Sequence, residues 1–136
     1  MKNLCTRKIE GYTFSDRIDT QLTLAALDMA HRRRRPAEGF IFHSGYGVQY
    51  PAWAFRERLD AYGIRQSMSR RGDPYNNAVA ENFFSCLKCE LVHLKQYLTH
   101  IEAQTDIFAT SRHSTTLRVP ILPLVWMSPA HFETAL

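Results

Sequence analysis

The spacing of apolar residues changes period several times along this chain, and each change marks an element. From Asp19 to Arg34 the period is helical, with Leu22, Ala25, Ala26 and Met29 at i, i+3, i+4 and i+7. Pro36 and Gly39 stop it. Ahead of it, Thr6 to Ser15 mixes β-branched and aromatic residues and predicts a strand, after which Ser15-Asp16 offers helix-capping chemistry. Phe40-Ile41-Phe42 is a short apolar run that predicts a buried strand ending at His43-Ser44-Gly45. Pro51 to Tyr62 carries Trp53, Phe55, Leu59 and Tyr62 and is closed by Gly63, the pattern of an amphipathic helix with a glycine stop. Ile64 to Ser69 alternates and predicts a short strand.

Arg70 to Pro74 follows as a basic loop with turn residues. A helix is predicted from Tyr75 to about His93, with an apolar stripe of Ala80, Phe83, Phe84, Leu87 and Leu91. A shorter helix is expected from Thr99 to Phe108. Strand and helix alternate, which indicates an α/β domain, although one strand ahead of the first helix makes for a thin sheet. The tail differs. Ser111 to Val119 is polar and aperiodic, and Pro120 to Met127 is apolar but broken by two prolines.

Composition narrows the class. At 136 residues the chain fits one domain, and an apolar fraction of 45% with 22% charged residues suits a packed core. It holds no apolar run of membrane-spanning length, and its start lacks the apolar stretch of a secretory signal. Three cysteines without framework spacing point to a reducing compartment, so a cytoplasmic, bacterial-type protein is expected. The formal charge is +4, a mildly basic balance that suits a polyanionic partner. His31-Arg32-Arg33-Arg34-Arg35 forms one dense block, read as a solvated helix end that complements the helix dipole. Cys86, Cys89 and His93 fall roughly on one helix face, but a structural zinc site needs four ligands and usually more than one element.

Two segments carry chemistry together: HSGYGVQY at 43–50 and IRQSMSRRGDPYNNAVAENFF at 64–84. The pair resembles the integrase core of insertion-sequence transposases whose catalytic domain is retroviral-integrase-like. In that family the first segment reads His-Ser-Asp and then Gly-Ser-Gln-Tyr. The second reads Gln-Ser-Met-Ser-Arg, a glycine, Tyr-Asp-Asn-Ala, and Ala-Glu before two aromatics, and Asn76 departs here from the usual aspartate. The family's Asp-Asp-Glu triad has 35 residues between its second and third members, and 35 residues separate Gly45 from Glu81 here.

The resemblance, which extends from about Lys2 to Phe108, implies an RNase-H-like α/β integrase core, incomplete at its N-terminus, with an irregular C-terminal tail. It implies DNA transposition and integration by metal-dependent phosphoryl transfer, with Mg2+ or Mn2+ held by carboxylates. Glu81 matches the third triad member and would be the surviving metal ligand. Gly45 stands where the second aspartate belongs, and the first aspartate belongs on a strand ahead of Met1. The chain is therefore expected to be inactive and not to bind metal productively. His43, Gln49, Ser69, Arg70, Arg71, Asn77 and Lys88 are implied as nucleic-acid contacts. The implied partners are transposon-end and target DNA, intact transposase, or a second copy, with no membrane.

The family's tail also explains the aperiodic segment. Asp106-Ile107-Phe108 and Ser128-Pro129 fit it, whereas the residues between do not. Ala109 to Val125 can be back-translated so that the shifted frame reads Tyr-Ile-Glu-Ala-Phe-Tyr-Asn-Thr-Thr-Arg-Pro-His-Ser-Ala-Leu-Gly, which is the family pattern. Two compensating indels, near Ala109 and Trp126, are inferred. Residues 1–109 would then be a partial integrase core, 110–127 a frameshifted irregular segment, and 128–136 a remnant of the family's C-terminus. Three other readings compete. They are a DNA-binding regulatory remnant that interferes with intact transposase, a zinc module on Cys86, Cys89 and His93, and a pseudogene product without function.

Overall fold

The computed structural model describes residues 1–6, 8–70 and 78–113. They fall into two compact units, one of Met1 with Glu10–Glu81, the other of Lys2–Ile9 with the residues from Asn82 onward. No helix among the described residues is long and apolar enough to cross a membrane.

In the first unit, helix α1 spans Thr20–Arg34. Asp19 caps it, its Oδ1 accepting the Leu22 N–H at 2.8 Å, which satisfies one of the helix's orphan donors. The cap therefore lies beyond Ser15-Asp16, where it was expected; Ser15 Oγ accepts the Arg17 N–H instead. The helix ends on Arg35, which adopts φ 44° and donates its N–H to the His31 carbonyl at 2.7 Å.

The strand expected from Thr6 to Ser15 does not form. The described residues there make one isolated antiparallel bridge, Lys2 with Ile9. Within the first unit, Glu10 and Gly11 donate to the Met1 carbonyl, and the chain then runs against α1. A Cβ on Gly11 would overlap the Ala26 carbonyl oxygen and sit 3.0 Å from Ala30 Cβ. Thr13 Oγ1 donates to the Leu22 carbonyl at 2.9 Å. Contact with a helix replaces the ladder that the β-forming residues suggested.

Strand β1 (Ile41–Ser44), helix α2 (Trp53–Ala61) and strand β2 (Arg65–Met68) make a βαβ unit with a parallel pair, Ile41 opposite Arg65 and Ser44 opposite Met68. Arg65 N–H to Phe40 O and Ser69 N–H to Ser44 O extend the pairing at either end. Gly63, at φ 65°, turns the chain out of α2, and Gly39 donates to its carbonyl at 2.8 Å. Alternation along β1 sends Phe42 to the α2 side, where its ring packs against Phe55 and Tyr50 at centroid distances of 5.5 and 6.1 Å. Leu24, Leu27, Phe55, Leu59 and Ile64 form the buried core, with Met1 and Tyr62 packed on it.

Two expectations about burial fail here. Strand β1 is not buried, for Ile41 is 57% exposed. Trp53 is 69% exposed, since at 100° per residue it lies about 200° around α2 from Phe55.

Helix α3 (Ala78–Glu90) begins in the first unit and continues in the second, where a 3-10 turn (Val92–Leu94) and helix α4 (His100–His113) follow. Phe83 and Leu87 are half-buried and Leu91 is buried, as the stripe predicts, but Phe84 is exposed and meets Phe83 edge to face. Thr99 Oγ1 accepts the Glu102 N–H, and a Glu102 carboxylate oxygen accepts the Leu98 N–H, a reciprocal arrangement that starts α4. Lys95 pairs with Asp106 at 2.5 Å, and the Tyr97 hydroxyl donates to the same carboxylate. Lys95 holds the Asp106 carboxyl below the usual carboxylate range. The helix runs to His113, past its expected end at Phe108. Most of the aperiodic tail, residues 114–136, lies outside the described residues.

Candidate active site and nucleic-acid interface

The parallel register builds the centre of the site. His43 on β1 is paired with Ser67 on β2, so both project to the same face of the sheet, and Ser69 follows two residues on. His43 Nδ1 lies 2.9 Å from Ser67 Oγ and Nε2 lies 3.2 Å from Ser69 Oγ. One imidazole thus fastens the ends of both strands, donating through one ring nitrogen and accepting through the other when neutral. Ser69 is 6% exposed, so the ring serves a buried hydroxyl.

Gly45 follows directly on the last residue of β1. Beside it Ser44 is buried, and its Oγ has no hydrogen-bond partner among the described residues. Positive φ among the described residues is confined to Arg35, Gly39 and Gly63, so Gly45 does not occupy a conformation that only glycine favours. The loop beyond closes when the Tyr50 N–H donates to the Gly47 carbonyl. The Gln49 side chain folds back over Gly47, where a Cβ would meet Oε1 at 3.0 Å. Tyr50 packs on Phe55, its carbonyl accepts from Gln66 Nε2, and burial pushes its phenol upward from the ordinary value.

Glu81 lies in the first turn of α3 and is exposed. A carboxylate there also complements the helix dipole. Arg70 is exposed at the end of the first unit's described segment, and Lys88 is exposed on the part of α3 in the second unit. Arg71 and Asn77 lie outside the described residues. No group of three or more histidine, cysteine, aspartate or glutamate side chains among the described residues is placed to hold a metal ion. A hard divalent cation requires several oxygen ligands; of the two motif positions, Glu81 offers a carboxylate and Gly45 offers no side chain. Cys86 and Cys89 are exposed, and Cys86 Sγ contacts Asn82 Oδ1 at 3.8 Å.

A further arrangement joins α1 to α2. Arg58 Nη1 on α2 reaches both carboxylate oxygens of Asp28 on α1, at 2.6 and 2.5 Å, and the Tyr62 hydroxyl donates to Oδ1 at 2.9 Å. Hydrogen bonds to Asp28 and then Tyr62 raise the Arg58 pKa further above its ordinary value. The His31 ring stacks on Tyr62 with centroids 3.7 Å apart and planes 3° from parallel. Asp28 and His31 are three residues apart and Arg58 and Tyr62 four, the spacings that place side chains together on a helix face. That spacing was the available signal, but it does not say which faces meet.

Residues 1–74 match the integrase core domain family. The chain is 36% identical over 128 residues to the transposase for insertion sequence element IS904 of Lactococcus lactis subsp. lactis (strain IL1403), an overlap of 94% of this chain and 51% of that protein. It is 33% identical over 106 residues to transposase InsF for insertion sequence IS3A of Escherichia coli (strain K12), covering 78% of this chain and 37% of InsF. It is 41% identical over 90 residues to the insertion element IS600 uncharacterized 31 kDa protein of Shigella sonnei, covering 66% and 33%. The chain thus spans about half the length of these relatives or less.

Proposed function

The chain belongs to the integrase core family of insertion-sequence transposases, and from that premise we propose that it binds the DNA of a mobile element without transferring its strands. The observation that carries this reading is Gly45. Much of the motif around it is kept, with His43, Ser44, Gln49 and Tyr50 in place and Glu81 at the family spacing, yet the position that should supply a carboxylate supplies none. Charge stabilisation by metal accounts for several kcal/mol of a phosphoryl-transfer barrier, so a missing ligand costs orders of magnitude in rate. The mixed helices and small sheet accord with the RNase-H-like fold that the family implies. His43 and Ser69 hold the strand ends together, and Arg70 and Lys88 offer cations to phosphates. A core that occupies element ends without cutting them would compete with intact transposase.

The test is a strand-transfer assay on end-labelled duplex carrying the element's terminal repeat, with Mg2+ or Mn2+. The purified chain should shift the duplex at low salt and yield no cleaved or joined product. Product formed above the no-protein background, and lost in Glu81→Gln, would show that the chain is active after all. Absence of any shift at about 50 mM salt would remove the DNA-binding reading, because electrostatic binding is strongest there.

A further inference from the structure

We infer that the arginine turn closing α1 is a contact surface for the phosphate backbone of duplex DNA, separate from the Gly45–Glu81 motif; this rests on the DNA-binding reading above. Arg32, Arg33 and Arg34 fill the last turn of α1, and Arg35 is its C-cap. All four side chains are exposed. They account for the charge of the whole chain. Of 17 lysines and arginines against 13 acidic residues, four stand in this turn, and without them the two signs balance.

A helix dipole does not call for so many. Its effect is confined to the last turn and is about 0.3–1 kcal/mol per favourable charge. Like charges three or four residues apart repel by roughly 0.2–0.5 kcal/mol per pair, which offsets part of that gain. Arg35 adds a backbone cost, since it holds φ 44° where glycine or asparagine is favoured. Arg32 and Arg35 thus add charge, and at Arg35 a less suitable cap, beyond what the dipole accounts for, and a dense polyanion is the partner that such a surface fits.

The mounting is rigid, which contact with a regular backbone favours. One turn before the arginines, Asp28 accepts from Arg58 and Tyr62, and His31 stacks on Tyr62. Leu27 beneath them is 2% exposed. Arg33 turns back, its guanidinium 5.6 Å from the Tyr12 ring centroid and Nη1 3.4 Å from the Glu10 carbonyl. Arg32, in the last turn, and Arg35, at the cap, are both exposed at this helix end.

The test is fluorescence anisotropy of a labelled duplex of unrelated sequence, with the full chain, between 50 and 200 mM KCl. The neutral variant Arg32→Gln/Arg35→Gly puts glycine at the left-handed cap, so it should melt at or above the parent's temperature. Each phosphate contact contributes about 0.9 to the slope of log affinity against log salt, so this variant should lose about 2 units of slope. The charge-keeping variant Arg32→Lys/Arg35→Lys should retain the parent's slope. An unchanged slope in the neutral variant overturns the inference and leaves DNA binding standing, as does a lysine variant that loses as much slope as the neutral one. A parent chain that fails to bind at 50 mM removes the DNA-binding reading itself, and this inference with it.

Discussion

His43 and Ser67 are register partners across the parallel pair, and the imidazole Nδ1 of one lies 2.9 Å from the Oγ of the other. The second ring nitrogen reaches Ser69, whose hydroxyl is buried. His43→Phe keeps a flat ring of similar size but removes both contacts. A buried hydroxyl that loses its partner costs about 1–3 kcal/mol, and urea unfolding should show a loss in that range. A change below about 0.5 kcal/mol, the ordinary span of a surface substitution, would mean that the bridge is not a structural element.

Gly11 separates steric need from backbone need. Its φ is not positive, yet a Cβ would collide with the Ala26 carbonyl oxygen, a backbone atom that α1 holds in place. Gly11→Ala should therefore destabilise by roughly 1–3 kcal/mol, the range for overpacking. Gly39→Ala is the opposite case, with φ 82° and nothing within 4 Å of the added carbon. It should cost only the left-handed strain, about 1 kcal/mol. Equal losses in thermal melts of the two variants would contradict the close approach at Gly11.

The Met1 amino group donates to the Gly11 carbonyl, and burial lowers its pKa from 8.0 to about 6, with Glu10 acting in the opposite direction. The folded state thus disfavours the charged amine. Above pH 8 the group is neutral whether the chain is folded or not, and no penalty applies; below pH 6 it is charged in both, and the penalty is complete. This group alone makes stability rise from pH 6 to 8, by about 2–3 kcal/mol at most. Denaturation midpoints at pH 5.5 and 8.5 measure the effect. Titration of the isotopically labelled Met1 amine in the folded chain should centre near 6. A midpoint near 8 would refute the burial.

The coding sequence of the tail supplies a fourth check. The codons for Ala109 to Val125, read from the third base, should encode Tyr-Ile-Glu-Ala-Phe-Tyr-Asn and then His-Ser-Ala-Leu-Gly. Codons that do not read through in that frame reject the double-indel account.

Where local chemistry decides an element, the sequence discloses it. Helix α1 follows from apolar spacing, and α2 and β2 from a glycine stop and a short alternation; each lies within two residues of its predicted ends. The structure departs from the sequence pattern where tertiary contact overrides propensity. Thr6 to Ser15 has the residues of a strand, but its backbone spends its contacts on Met1 and α1 instead. The α1 cap passed from Ser15-Asp16 to Asp19 because the closer carboxylate reaches the Leu22 N–H. Ile41 looks buried from composition, but burial of a strand face requires a covering element, and among the described residues α2 packs on the Phe42 side, opposite to Ile41; Phe40, also exposed, precedes the strand. In the site, the motif spacing identified Gly45 and Glu81, whereas the Asp28–Arg58–Tyr62–His31 arrangement depends on which helix faces meet, a relationship that periodicity does not encode.

The two-stranded sheet has a consequence for handling and for life in a cell. Among the described residues β1 and β2 pair with each other alone, and Ile41 on β1 is 57% exposed. Parallel strands are ordinarily covered on both faces and flanked by further strands. An open ladder of this kind is a template on which a foreign β-segment can add. Association of that kind rises with concentration, and a charged residue in place of Ile41 is the change that would discourage it.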